Sequence, residues 1–223
     1  MIRLSARIAS EVSLWVCHLF RFINGAAFCH DDTREGLVKI TRMALHKQYP
    51  KMGQDGYEAL YSRPPVIYLT SNTYIDIAHY VCMQLGLPLS TVRVLRPEAD
   101  KEDMVEAIFQ EDKAAGRLPI LCIANVHSSL YQSLSPSNFE SLCKRNNVWL
   151  HLEGHALAAL ALINHETKNP PTADSLSLTI GSWIGVPAVP FVTMYKVLLH
   201  YCNSERILTF KFATTRLIFY LIF

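Results

Sequence analysis

Residues 148–155 read Val-Trp-Leu-His-Leu-Glu-Gly-His, and this stretch indicates both the fold and the place of a candidate site. Apart from one histidine its first part is apolar, which predicts a buried β-strand that ends at Glu153 and Gly154. In open α/β sheets, ligands bind outside the carboxyl ends of the strands. A carboxylate on a buried strand must be solvated, paired or used in function, so Glu153 is the first candidate site residue.

The chain on both sides of this stretch alternates between apolar runs and helical patterns. The predicted strands are 66–69, 91–95, 119–124, 148–153, 175–179 and 188–195. Helices are predicted at 74–85, 101–115, from Ser135-Pro136 onward, and at 156–163 as a short helix or turn. Strands that alternate with helices need crossover connections and therefore a largely parallel sheet. We predict an α/β fold of three layers, α/β/α, with a mostly parallel sheet that can become mixed at its last strands.

The N-terminal part is predicted to be mainly helical. An amphipathic helix that ends near Asn24-Gly25 is indicated by Leu4, Ile8, Val12, Trp15, Leu19 and Phe22. A connector at 26–30 leads to the cluster 31–33, which can cap a helix through Lys47. The inward side chains of that helix are predicted to be Leu37, Ile40, Ala44 and Leu45. Residues 49–63 read as a surface loop, and the 101–115 helix is predicted to turn Met104, Ile108 and Phe109 inward.

Composition narrows the class of protein. Half of the 223 residues are hydrophobic and 18% are charged, so the chain should form a core, and a net charge of +2 without a basic block gives no electrostatic reason to expect nucleic acid. Six cysteines without a C-x-x-C pair predict reduced thiols, with Cys82, Cys122 and Cys143 in the core. No apolar run is long enough to span a membrane. Without a secretory signal we expect a cytoplasmic protein, and the acid-poor, arginine-bearing N-terminus leaves a mitochondrial presequence as the alternative.

Several kinds of site are disfavoured by the motifs. His151 and His155 flank Glu153, but zinc-protease histidines at this spacing share one face of a helix, whereas these straddle a strand end. We therefore predict no metal site and interpret His151 as a core histidine satisfied by backbone. Because G-x-S-x-G, G-x-G-x-x-G and Walker A sequences are absent, the sequence does not favour a serine hydrolase, a dinucleotide or a nucleoside triphosphate.

Three passages resemble one family, in that family's order. Residues 111–126 read Glu-Asp-Lys-Ala-Ala-Gly-Arg-Leu-Pro-Ile-Leu-Cys-Ile-Ala-Asn-Val and resemble the Glu-Asp-Lys-x-x-Gly-x-x-Pro passage of the group II pyridoxal-phosphate-dependent decarboxylases. Residues 148–153 resemble the family's Leu-Trp-x-His-Val-Asp strand, and residues 173–175 resemble the Ala-Asp-Ser that leads to its lysine segment. Residues 64–69 and 183–190 are similar to one particular branch of the family. The resemblance covers residues 7–196.

The resemblance implies the large-domain fold of type I pyridoxal-phosphate enzymes, a homodimer with sites at the subunit interface, and removal of the α-carboxylate of an amino acid. It implies pyridoxal 5′-phosphate as cofactor, with a carboxylate beside the pyridine nitrogen so that the ring can accept electrons. Glu153 stands at the position of that carboxylate. The other implied cofactor-binding residues are Asn125, Ser129, Thr33 and Ile75.

One position departs from the family in a way that affects catalysis. Residues 179–183 align with the family's Asn-Pro-His-Lys-Trp, so Ser182 stands where the Schiff-base lysine is expected, and a hydroxyl cannot form an imine. We therefore name no catalytic residue and keep a second interpretation, a non-catalytic relative that acts as a dimerisation or protein-binding module. Residues 1–196 are predicted to be an incomplete large domain, with 197–223 as a divergent apolar tail of a truncated form.

Overall fold

The computed structural model describes residues 2–20, 22, 25–71, 74–95, 102–128, 130, 132, 136–154, 157, 173–179, 181, 185, 191–196, 211–212 and 215–216. The helices are α1 (Ile2–Leu19), α2 (Thr33–Gln48), α3 (Met52–Asp55), α4 (Ile75–Gln84), α5 (Glu102–Ala114) and α6 (Pro136–Arg145). Short 3₁₀ turns lie at Gly56–Leu60 and Leu89–Thr91. The strands are β1 (Gly25–His30), β2 (Pro65–Leu69), β3 (Val92–Val94), β4 (Leu118–Asn125), β5 (Trp149–Glu153), β6 (Ser175–Leu178) and β7 (Phe191–Lys196).

These strands form one sheet of seven in the order β1-β7-β6-β5-β4-β2-β3. Strands β3, β2, β4, β5 and β6 are parallel neighbours, whereas β7 runs antiparallel to both β6 and β1. The predicted alternation of strands and helices is therefore confirmed, and so is the mixed character of the sheet at its last strands. Two further strands of two residues, β8 (Lys211–Phe212) and β9 (Thr215–Arg216), pair with each other in antiparallel fashion.

Helices cover both faces of the sheet, which confirms the three-layer α/β/α fold. Helices α1, α5 and α6 pack on one face through Val16, Cys17, Val105, Phe109 and Phe139. Helices α2 and α4 pack on the other face, where the four predicted inward residues of α2 are all fully buried. Strands β4 and β5 are buried along almost their entire length, because they lie between the two helical layers.

Four local predictions are wrong. Residues 25–30 form the edge strand β1 instead of a connector, because a ladder with β7, remote in sequence, supplies its hydrogen bonds. Helix α1 ends at Leu19, before Asn24-Gly25, and the chain turns so that Phe20 and Phe22 reach the core. The expected surface loop at 49–63 contains α3 and a 3₁₀ turn, with Tyr49 and Leu60 buried. In α5, Phe109 is buried and Ile108 packs against the core as predicted, but Met104 is exposed and Val105 is buried in its place.

The amphipathic pattern of α1 is confirmed, but its apolar stripe faces outward. The residues of that stripe that lie in the helix are all exposed: Leu4, Ile8, Val12, Trp15 and Leu19. The helix packs on the sheet through Val16 and Cys17 instead. Five cysteines are described and all are free, with Cys82, Cys122 and Cys143 buried as predicted. The predicted segment at 156–163, apart from residue 157, residues 188–190 and most of 197–223 lie outside the described residues. In the part of the chain that is described, no helix is long and apolar enough to cross a membrane.

Candidate active site

The candidate site lies at the edge of the sheet where β1, β2, β4, β5 and β6 end, which we call the carboxyl edge. Asn125 and Glu153 end β4 and β5 as register partners, and His30 ends β1 nearby. Helices α2 and α4 both begin at this edge, which brings Thr33 and Ile75 to it. The strand order therefore brings together residues that lie as far apart in the chain as Thr33 and Glu153.

Glu153 is a buried carboxylate that the described residues satisfy only in part. Its side chain is 5% exposed, and Oε1 has no hydrogen-bond partner among the described residues. The Nε2 atom of His151 lies 3.5 Å from Oε1. A buried acceptor without a donor costs about 1–3 kcal/mol, so this oxygen is suited to an N–H group that a ligand supplies.

Tyr74 is the neighbour that the sequence did not reveal. It lies just before α4, and its hydroxyl hydrogen-bonds to the Glu153 carboxylate. Burial raises the pKa of the Tyr74 phenol to about 12, and the charge of Glu153 and this hydrogen bond contribute to the rise. The only signal in the sequence is its place directly before Ile75, which the family resemblance had already assigned to the site.

A chain of buried polar side chains runs beneath Glu153 across four strands. Trp149 Nε1 donates to Ser175 Oγ at 2.8 Å, and Ser175 Oγ lies 2.7 Å from His151 Nδ1. On the other side of the imidazole, Nε2 lies 3.2 Å from Ser177 Oγ. His151 is therefore a buried core histidine, as predicted, but two serine hydroxyls satisfy it instead of backbone.

The same chain continues to the start of α2. Ser177 Oγ lies 2.7 Å from Thr193 Oγ1, which lies 2.8 Å from His30 Nε2, and His30 Nδ1 lies 2.7 Å from the carbonyl of Asp32. An indole N–H can only donate and a carbonyl can only accept, so Trp149 donates to Ser175 and His30 Nδ1 donates to Asp32, whereas each hydroxyl between them can donate or accept.

His30 should make the protein less stable in acid. Burial lowers the pKa of His30 below its ordinary value, although the Asp32 carbonyl and the charges of Glu35, Asp32 and Glu153 act in the opposite direction. As the pH falls, the imidazole takes up a proton in the unfolded state before it does so in the folded state. The contribution of His30 to the free energy of unfolding is therefore fully present above about pH 6.5 and is lost as the pH falls below that value. We expect His30→Gln to reduce the slope of unfolding free energy against pH, by at most about 1.4 kcal/mol per pH unit. Urea denaturation between pH 5 and pH 7.5 measures this slope.

The matched control for this prediction is His18→Gln, since His18 is exposed on α1. It should leave the slope of the wild-type protein unchanged. An unchanged slope in His30→Gln as well would contradict the buried, neutral state of His30. Because burial also lowers the pKa of His46, some slope is expected to remain in His30→Gln.

The start of α2 carries its own carboxylate. Asp32 is the N-cap residue, and its Oδ1 accepts a hydrogen bond from the backbone N–H of Arg34 at 2.9 Å. Thr33 Oγ1 donates to the same Oδ1 at 3.4 Å. The predicted capping role of the 31–33 cluster is therefore confirmed, and the hydroxyl of Thr33 is directed to Asp32.

The loop after β4 closes on itself next to Glu153. Asn125 Oδ1 accepts from the backbone N–H of His127 at 2.8 Å, and the Asn125 N–H donates to Thr70 Oγ1 at 3.0 Å. Gly154 has a φ of +145°, and a Cβ atom there would lie 2.5 Å from Val126 Cγ2. Only glycine fits at this position after β5, which explains why Gly154 follows Glu153 in the stretch 148–155.

Four of the predicted site residues thus share the carboxyl edge: Glu153, Asn125, Thr33 and Ile75. Ile75 is half-buried and packs against the core beneath α2 and α4. Ser129, Ser182 and His155 lie outside the described residues, so their predicted roles stay predictions. Within the described ranges no group of three or more histidine, cysteine, aspartate or glutamate side chains could hold a metal ion.

Curated relatives match most of this chain. Human putative pyridoxal-dependent decarboxylase domain-containing protein 2 is 37% identical over 204 residues, which is 87% of this chain and 44% of the relative. Human pyridoxal-dependent decarboxylase domain-containing protein 1 is 38% identical over 205 residues, again 87% of this chain but 26% of the relative. The chain belongs to the pyridoxal-dependent decarboxylase family. It spans less than half the length of these two relatives, and no family model matches it.

Solved structures of two decarboxylases share the fold of this chain. Catharanthus roseus tryptophan decarboxylase in complex with L-tryptophan superposes with a TM-score of 0.65 at 17% identity, over 86% of this chain and 44% of that one. Oryza sativa TDC with PLP gives a TM-score of 0.65 at 17% identity, over 86% and 45%. The predicted family and the predicted large-domain fold are therefore confirmed, and so is the branch indicated by residues 64–69 and 183–190.

Proposed function

We propose that this chain is the large-domain part of a pyridoxal-phosphate-dependent carboxy-lyase-type protein, and that the carboxyl edge binds a pyridoxal ring with its protonated nitrogen at Glu153. The observation that carries the proposal is the buried Oε1 of Glu153, which lacks a hydrogen-bond donor among the described residues. The membership of the chain in the family and its likeness to a structure solved with PLP support the choice of ligand.

The residues present fit the ring end of this cofactor. A pyridinium N–H would donate to Oε1, and the negative charge of Glu153 would keep the ring nitrogen protonated. When bound, the cofactor supplies an electron sink for the electrons that a departing carboxylate leaves behind. Ile75, half-buried at the start of α4, is the proposed apolar cover of the ring, and Asn125 and Ser129 are the proposed polar contacts on the loop after β4.

Thr33 is the proposed contact at the other end of the cofactor, where the residues fit less well. Its hydroxyl is directed to Asp32 Oδ1, and the Asp32 carboxylate already accepts from the first turn of α2. A phosphate at this helix start would meet that carboxylate. The proposed binding therefore depends mainly on Glu153.

A titration with pyridoxal phosphate tests the proposal. We expect the wild-type chain to bind it and Glu153→Gln to bind it at least about tenfold more weakly, because a neutral amide does not hold a protonated ring nitrogen. Glu58→Gln, at an exposed position, is the control and should bind as the wild type does. Equal binding by Glu153→Gln would contradict the role of Glu153.

Borohydride reduction of the complex tests the catalytic half of the proposal. Because Ser182 stands at the lysine position, we expect no single lysine to become modified in stoichiometric yield, which makes decarboxylation by this chain alone slow or absent. One stoichiometrically modified lysine, mapped by peptide mass, would instead support a competent decarboxylase.

The second candidate function is a non-catalytic dimerisation or protein-binding module. The observation that favours it is the outward apolar stripe of α1, in which the Leu4 and Trp15 side chains are 64% and 63% exposed. Apolar stripes of this kind mark association surfaces. In the same samples, sedimentation should then show a homodimer that Trp15→Ser weakens, together with no binding of pyridoxal phosphate.

A further inference from the structure

The N-terminus of α2 is an anion site that the chain fills with its own carboxylate. In a helix of this length, the first backbone N–H groups and the dipole attract phosphates and other anions. Here Asp32 caps the helix and accepts from the N–H of Arg34 at 2.9 Å. Its negative charge therefore lies where a phosphate group would have to lie.

The cation at this helix start is engaged by the same carboxylate. Arg34 Nε lies 3.3 Å from Asp32 Oδ2, and the guanidinium lies over the ring of Tyr80 at 5.3 Å. A phosphate that entered would have to displace Asp32 from Arg34 and from the helix N-terminus. The sequence adds a second acid, Asp31, directly before the cap.

The other side of the site is also acidic. His30 Nδ1 lies 2.7 Å from the Asp32 carbonyl at the start of α2, and Glu153 ends β5 at the same carboxyl edge, so the carboxylates of Asp32 and Glu153 both belong to this edge. One oxygen of Glu153 is buried without a hydrogen-bond donor among the described residues and lies 3.5 Å from His151 Nε2. A cation with an N–H group would donate a hydrogen bond to this oxygen when it binds. A dianion would instead be repelled by the charge of Asp32 at the start of α2.

We propose that this site selects a protonated nitrogen heterocycle of the pyridoxine type without its phosphate over the 5′-phosphate ester of the same compound. The selection rests on the proposed function above, because it assumes that Glu153 receives the ring nitrogen. Asp32 is the residue that determines the selection, since its carboxylate takes the place of the phosphate.

The experiment compares pyridoxine with pyridoxine 5′-phosphate, which both lack the aldehyde and so do not react with surface lysines. Each is titrated calorimetrically at pH 7 into the wild type, Asp32→Ser, Asp32→Asn and Glu153→Gln. Serine and asparagine both cap helices, so α2 should remain folded in these variants while the charge is removed. Asp103→Asn, an exposed acid in the first turn of α5 on the opposite face of the sheet, is the matched control.

We expect the wild type to bind pyridoxine at least about tenfold more tightly than its phosphate. Both Asp32 variants should bind the phosphate at least about tenfold more tightly than the wild type does, and should bind pyridoxine within about threefold of the wild type. Asp103→Asn should reproduce the wild-type ratio.

The contrary outcomes separate the two proposals. If the wild type prefers the phosphate, or if neither Asp32 variant changes the ratio, the selection is overturned, and the role of Glu153 stands as long as Glu153→Gln weakens both ligands. If neither ligand binds any of the proteins, or if Glu153→Gln binds both as the wild type does, the proposed function fails and the selection fails with it.

Discussion

Replacing Asp112 by alanine is expected to lower the free energy of unfolding by about 3–5 kcal/mol, the usual loss when one partner of a buried ion pair is removed. The Asp112 side chain is fully buried on α5. It accepts a hydrogen bond from the Tyr68 hydroxyl at 2.6 Å and from Arg93 Nη1 at 2.8 Å, and it also pairs with Arg117. The variant leaves the buried Tyr68 hydroxyl without its acceptor, and it removes the counter-ion of Arg117 and one of the two carboxylates that pair with Arg93.

Glu111→Ala is the matched control, because Glu111 is the neighbouring residue and pairs with the same Arg93. Its side chain is 66% exposed, so we expect a loss of at most about 1 kcal/mol. Urea denaturation followed by circular dichroism measures both variants. Equal losses of unfolding free energy in the two variants would contradict the prediction that the buried Asp112 carboxylate stabilises this fold.

The second large effect is expected at Trp149, in the stretch 148–155. Trp149, the first residue of β5, is 1% exposed and packs in the core cluster beneath α2. Trp149→Ala should therefore cost about 3–5 kcal/mol of unfolding free energy. Its indole also donates to Ser175, the first side chain of the polar chain that leads to His30. Trp149→Phe keeps most of the packing and removes this donor, so it should cost about 1–2 kcal/mol.

Comparison of the two Trp149 variants separates packing from hydrogen bonding. Denaturant titration at pH 7 gives both losses. If Trp149→Phe loses as much unfolding free energy as Trp149→Ala, the hydrogen bond contributes more than the packing. If Trp149→Phe loses none, the hydrogen bond from the indole to Ser175 does not contribute to stability. Either result would require a different account of how His151 is held beneath Glu153.

The elements that could be predicted are those whose signal is local. Helix α2 has its cap at Asp32 and an apolar residue on every turn, and β4 is apolar along its length, so both were recognised. Strand β1 could not be recognised, since Gly-Ala-Ala-Phe-Cys-His has little strand propensity and is held by β7, which is remote in sequence. In α5 the pattern placed Phe109 in the core correctly, but Val105 is buried there instead of the predicted Met104.

The candidate site divides in the same way. Glu153, Asn125, Thr33 and Ile75 were named from strand ends and from the family resemblance, and the sheet brings them to one edge. Tyr74, Thr193 and His30 were missed as members of this site, because their importance depends on which atoms lie within hydrogen-bond distance after folding. No periodicity in the sequence encodes such distances.

The amino-acid sequence by itself determined the family, the α/β/α architecture and the carboxylate at the end of β5, because these depend on patterns that extend over neighbouring residues. The tertiary structure decided how Glu153 is used. It left one oxygen buried without a donor among the described residues, and it brought the start of α2, with Asp32, to the same edge of the sheet as Glu153. Both features arise from strand order and helix placement, which bring together charges that lie more than a hundred residues apart in the chain.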